Sequence, residues 1–150
     1  MKIAIASDHA GFSLKEDVKK HLQEFGHEYK DFGTYSEDSV DYPDYASLVC
    51  NSISENMFER GILICGTGIG MSIAANKFPG IMAALCYDAE SAKLSREHND
   101  SNVLVLGGRI TNSDVARDIV SSWLDTKFSG DRHMRRVNKI KDIEQKMRKL

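Results

Sequence analysis

The sequence predicts a three-layer α/β/α sandwich with a Rossmann-like, parallel five-stranded sheet. Three observations lead there. Short apolar runs alternate with amphipathic stretches along the whole chain, the pattern of parallel strands joined by crossover helices. The runs GILIC (61–65) and NVLVLG (102–107) are nearly continuous in apolar residues, as strands buried on both faces must be. A glycine-rich loop, 66–70, joins one such run to a helical stretch.

Residues 2–6 (KIAIA) read as a short buried strand. A helix is expected over about 12–25, where Leu14, Val18, Leu22 and Phe25 recur at helical spacing with charges between them. Gly26 is a natural stop, because glycine tolerates the left-handed conformation on which helices often end. Residues 27–32 form the second strand. Pro43 sits near the first turn of a helix reaching about residue 56. Strand 61–65, loop 66–70 and a short helix over 71–77 follow. Strand 81–86, helix 89–98 and strand 102–106 come next. An Asn or Ser caps a helix over 112–124. The last helix runs from about 134 to 150.

The chain has 150 residues and reads as a single domain, 1–150, with one core. Its hydrophobic fraction of 41% and charged fraction of 28% argue against disorder. A formal charge of −2 argues against a chain-wide grip on nucleic acid. No apolar run is long enough to span a bilayer. The start MKIAIASDHAG lacks the basic flank and apolar length of a secretory signal, so a cytoplasmic location is expected. Cys50, Cys65 and Cys86 are too few and too scattered for a disulfide framework or a zinc site, and cytosol would keep them reduced.

Ligands of such sheets bind beyond the carboxyl ends of the strands, which directs attention to 7–11, 65–72, 87–88 and 107–109. In Cys65-Gly66-Thr67-Gly68-Ile69-Gly70-Met71-Ser72, glycines let main-chain N–H groups converge and a helix follows. This is an anion hole for a phosphate, a carboxylate or an oxyanion that forms during reaction. A P-loop needs Lys where Met71 stands. The dinucleotide pattern wants its third glycine there too, although Asp88 could serve as a ribose-binding acid. A cysteine phosphatase would put Arg at that same position. Partial positive charge in the loop favours the Cys65 thiolate, a nucleophile or general base. The plain alternative is a small apolar side chain ending a strand, and that reading is preferred for Cys50 and Cys86.

Asp8 and His9 follow the first strand at the same edge. They either meet a ligand or serve as a helix cap and a surface imidazole. His98 ends a helix, where the dipole favours imidazolium; such a residue is more often structural. Gly107-Gly108-Arg109 ends the fifth strand with a cation. Arg132 and Arg136 are four apart and share a helical face if the last helix starts early enough, and two guanidinium forks suit a phosphate. Residues 132–150 hold eight Lys/Arg against two Asp/Glu. This is a solvated basic face rather than a nucleic-acid tail, because no aromatics interleave it. Val137, Ile140, Ile143, Met147 and Leu150 form a stripe that packs on its own sheet or on a neighbouring subunit.

SDHAG at 7–11, DYPDYA at 41–46, CGTGIGMSIAANK at 65–77, REHND at 96–100, LGGR at 106–109 and RHMRR at 132–136 together resemble the type B ribose-5-phosphate isomerases. The resemblance covers nearly the whole chain, in order. Each motif is weak alone; six in order are specific. Galactose-6-phosphate isomerase subunits share the superfamily. The resemblance implies an aldose–ketose isomerase of pentose phosphate metabolism that interconverts D-ribose 5-phosphate and D-ribulose 5-phosphate. It implies no metal or organic cofactor, no nucleic acid or membrane partner, and a homodimer with the C-terminal helix at the interface and active sites between subunits. A dimer of dimers is the alternative.

By the same resemblance, Cys65 would be the general base, in the branch that has Cys here rather than Glu at the position of Met71. Thr67 would assist proton movement between the oxygens. Gly66, Gly68, Ile69, Gly70 and Ser72 would surround the enediolate. His98, aided by Asp8, would open the furanose ring. His9, Arg132 and Arg136 would bind phosphate with Arg109 nearby, and Tyr42 and Asn99 would line the pocket. Three rivals remain at this point: an isomerase of a six-carbon sugar phosphate such as allose or galactose 6-phosphate, a non-catalytic nucleotide-binding domain, and a redox sensor centred on Cys65.

Overall fold

The computed structural model describes residues 1–150. Its elements run β1 (Lys2–Ser7), α1 (Phe12–Glu24), β2 (Glu28–Asp31), α2 (Tyr42–Ser54), β3 (Arg60–Cys65), α3 (Ile69–Ala75), β4 (Ala83–Leu85), α4 (Ala89–Asn99), β5 (Val103–Gly107), α5 (Ser113–Asp125) and α6 (Arg132–Arg148). All five strands are parallel, in the order β2-β1-β3-β5-β4. The expected fold class is therefore the observed one.

Alternation along the strands divides the core into two faces. Ile3, Ile5, Ile62, Ile64, Leu104 and Leu106 pack under α1, α4 and α5. Ala4, Ala6, Leu63, Cys65, Val103 and Val105 pack under α2 and α3. The central strands β1, β3 and β5 are buried on both sides, which is why their sequences carry no polar period. Trp123 is fully buried, and its indole N–H donates to Ser101 Oγ at 2.9 Å. No helix is long and apolar enough to cross a membrane.

Most boundaries shift by a residue or two, and three of the differences have a visible cause. Helix α3 starts at Ile69, not Met71, because Gly68 turns the chain at φ 84° and lets the helix begin at once. Strand β4 is only three residues, because side chains take over its amino end: Asn102 Oδ1 accepts from Met82 N–H and Asn76 Oδ1 from Ala83 N–H. Helix α6 starts at Arg132, not Met134, since Gly130 C=O already accepts from the N–H groups of His133 and Met134. Arg132 and Arg136 therefore do lie four apart on one helix. Asn112 caps α5 as expected, accepting from Val115 N–H at 2.9 Å.

Candidate active site

The parallel sheet sets down the ends of β1, β3 and β5 side by side. Asp8 N–H donates to Ile64 C=O at 3.1 Å, Gly108 N–H to Cys65 C=O at 2.7 Å, and Arg109 N–H to Gly66 C=O at 2.9 Å. These bonds gather 7–11, 65–72 and 107–109 at the carboxyl edge. Cys65 is 5% exposed and faces the α2–α3 layer beside the buried Met71.

The loop after Cys65 leaves main-chain donors open. Thr67 Oγ1 accepts from Ile69 N–H at 3.2 Å, and Ser72 N–H donates to Gly68 C=O. The N–H groups of Gly66, Thr67, Gly68, Gly70 and Met71 have no acceptor within the chain. A buried donor without an acceptor is costly; at a partly open loop it marks a place for an anion. A Cβ on Gly68 would collide with the Leu85 side chain and approach Leu106 C=O. One on Gly66 would come within 3.2 Å of the Arg109 guanidinium, so that cation lies over the loop. Tyr42, at the start of α2, sets its ring so close to Gly70 that a Cβ there would lie 2.6 Å away. Tyr87 was not singled out by sequence reasoning, yet its hydroxyl donates to Thr67 C=O at 3.2 Å. Only its place after β4 pointed to it.

Asp8 does not cap α1. It is buried, and its Oδ1 accepts from Gly11 N–H at 3.0 Å, closing the turn before the helix. Nor is Asp88 a ribose acid. It caps α4, accepting from Ser91 N–H at 2.7 Å, and that bond holds its carboxyl below the usual range. The dinucleotide reading loses its remaining support.

His98, Asn99, Arg132 and Arg136 lie elsewhere. Helix α4 returns from the carboxyl edge to the amino edge before β5 starts, so its last turn sits by Asn102, whose C=O accepts from Gly61 N–H at the beginning of β3. The length of β5 alone separates the two edges by about 13 Å. The end of α4 is tied to the approach of α6: Ser129 N–H donates to Glu97 C=O, and the Arg96 guanidinium to Thr126 C=O and Asp100. His98 stacks on His133, with ring centroids 4.2 Å apart and planes 12° from parallel. The candidate residues thus fall into two separate groups: Asp8, His9, Tyr42, Cys65–Ser72 and Arg109 at one edge, and His98, Asn99, Arg132 and Arg136 at the other. A groove of about 790 Å³ between α6 and the segment leading into β4 also opens at the amino edge, and it shares only Asn99 with these residues.

Burial holds His133 below the ordinary histidine value, reinforced by His98, Arg132 and Arg136 and opposed by Asp131. The unfolded chain then binds the proton more readily, so stability falls as pH drops through the histidine range. Melting temperature followed from pH 7.5 to 5 should show this fall, and His133→Gln should lessen it. Parallel pH profiles for the two proteins would count against the assignment.

The family model described as Ribose/Galactose Isomerase matches residues 3–140. Ribose-5-phosphate isomerase B of Escherichia coli (strain K12) is 50% identical over 145 residues, covering 97% of this chain and 97% of that protein. The structure of Clostridium thermocellum ribose-5-phosphate isomerase B superposes with a TM-score of 0.96 at 51% identity, covering 98% of this chain and 99% of that one. That of Mycoplasma genitalium ribose-5-phosphate isomerase B, with bound ribulose-5-phosphate, gives 0.91 at 41% identity and 96% coverage of both chains.

Proposed function

The chain belongs to the ribose/galactose isomerase family, and from that premise we propose that it interconverts D-ribose 5-phosphate and D-ribulose 5-phosphate at sites shared between two copies. The observation that carries this reading is the set of unaccepted main-chain N–H groups beside Cys65. An aldose–ketose exchange removes a proton next to a carbonyl and must stabilise the resulting enediolate.

His98 of one copy and Asp8 of the other open the furanose. Cys65 takes the C2 proton and returns it to C1. The N–H groups of the 66–71 loop hold the charge that grows on the oxygens, and Thr67 passes a proton between them. His9, Arg132 and Arg136, with Arg109 near, hold the phosphate, whose binding energy positions the reacting carbons. Tyr42 and Asn99 line the pocket. The separation of the two groups of site residues within one chain supports a homodimer. The exposed Ile143, Met147 and Leu150 on and after α6 offer it an apolar surface. We read residues 1–150 as one domain working in the cytoplasm.

The test is turnover of ribose 5-phosphate, followed by subunit mixing. Cys65→Ala and His98→Asn chains should each be inactive alone. Unfolded together and refolded in equal amounts, half the dimers are mixed and each carries one intact site, so about a quarter of wild-type activity should return. A mixture that stays at the level of its components would rule out shared sites. Wild-type turnover of a six-carbon sugar phosphate but not of ribose 5-phosphate would overturn the substrate.

A further inference from the structure

Residues 32–41 form a strap from β2 to α2 across the carboxyl edge. Its near end is firmly held. Ser7 N–H donates to Gly33 C=O at 2.7 Å, Thr34 N–H returns to Ser7 C=O at 2.8 Å, and Lys15 Nζ donates to Thr34 C=O at 2.5 Å. Its far end leads into Tyr42, against Gly70. Just before that, Val40 N–H donates to His9 Nδ1 at 3.1 Å.

That bond constrains the imidazole. A ring nitrogen that accepts a hydrogen bond carries no proton. The imidazolium has two donors and no acceptor. The Nδ1–H tautomer would set two hydrogens against each other. Only the neutral ring protonated at Nε2 satisfies Val40, since the partner of one ring nitrogen decides the state of the other.

We propose that the Val40 main-chain N–H fixes His9 as the neutral Nε2–H tautomer, so that His9 gives the substrate phosphate one directed hydrogen bond and no charge. This rests on the reading above that His9 binds phosphate. Neutralising the phosphate then falls to the arginines, while His9 selects one of its oxygens. Val40 is a positioning residue that acts through its backbone, which no side-chain pattern in the sequence would reveal.

The test uses the full-length chain with ¹⁵N-labelled histidine, observed by long-range proton–nitrogen correlation at pH 7.5. The His9 signals are assigned by their loss in His9→Asn. The expected pattern is a bare Nδ1 and a protonated Nε2. Added inorganic phosphate should move Nε2 and leave Nδ1 bare. A protonated Nδ1 in the free protein overturns the proposal, and so does a phosphate response confined to Nδ1.

Kinetics supply a second readout, because an Asn side chain reaches the Nδ1 position and a Gln side chain the Nε2 position. His9→Asn should raise KM for ribose 5-phosphate about tenfold while changing kcat less than about threefold, the loss expected for one hydrogen bond to a charged group. His9→Gln should recover most of that loss. Gln performing worse than Asn would overturn the proposal. The nitrogen spectra and their phosphate response decide the matter even for a protein that turns over no ribose 5-phosphate, so a failed tautomer and a failed substrate assignment give different results.

Discussion

Cys65→Ala lowers kcat for ribose 5-phosphate by about 10² to 10⁴-fold, the usual contribution of a positioned general base. The fold survives, because the side chain is small and ends a strand whose other residues keep the core. Removing one sulfur from a buried site costs about 1 kcal/mol or somewhat more. KM should change little, since the phosphate contacts and the loop donors are untouched. Steady-state kinetics with a melting curve on the same preparation separates the two effects. A variant that turns over like wild type would remove Cys65 from proton transfer and leave Thr67 and His98 as the groups to examine. A residual rate above the uncatalysed reaction is expected, because the main-chain donors remain to stabilise the enediolate.

Asp31→Ala has the largest expected cost to stability. Lys15 is fully buried, and its ammonium donates to Asp31 Oδ1 at 2.7 Å and to Thr34 C=O. Asp31 also accepts from Lys19 and from Gly33 N–H. Removing the carboxylate leaves a buried cation with one neutral partner, a loss of about 3–5 kcal/mol. In a chain of this length that lowers the melting temperature by roughly 10 °C. Lys15→Met in the same chain removes the stranded charge, so the double variant should be more stable than Asp31→Ala alone. Additive losses would show that the pair is not coupled.

The pH dependence has a definite sign. Burial by itself would raise the Asp31 carboxyl, but hydrogen bonds from Lys15, Gly33 N–H and Lys19 hold it below its ordinary 3.8. The stabilisation is present above that value and disappears as pH falls through it and below. Burial pulls Lys15 below 10.5 against the opposing pull of Asp31, so its contribution improves as pH climbs toward that value. Wild type should therefore lose more stability than Asp31→Ala between pH 5 and 3.

The sheet and the Cys65 loop were legible because they depend on local pattern: apolar runs, closely spaced glycines, and a helix start after each strand. Asp8 and Asp88 were ambiguous for a physical reason. An aspartate that meets a ligand and one that accepts from its own chain's N–H groups look identical in sequence, and here each accepts from an N–H group three residues on. The sequence marks His98 as a helix-end residue, but the edge at which that end lies depends on the crossover back across the sheet. Tyr87 is marked only by its place after a strand, and Val40 by nothing in the sequence. Each acts on a backbone atom of, or through its own backbone on, a residue far along the chain.

A catalytic cradle made of peptide groups is largely silent to alanine scanning. At the exposed Ile69 such a scan would trim the side chain and leave the N–H in place. The positions that would register are those where a new Cβ intrudes, as at Gly68 and Gly70, or where proline deletes a donor. An exposed side chain such as that of Ile69 is thus free to vary, while the loop's backbone path is not.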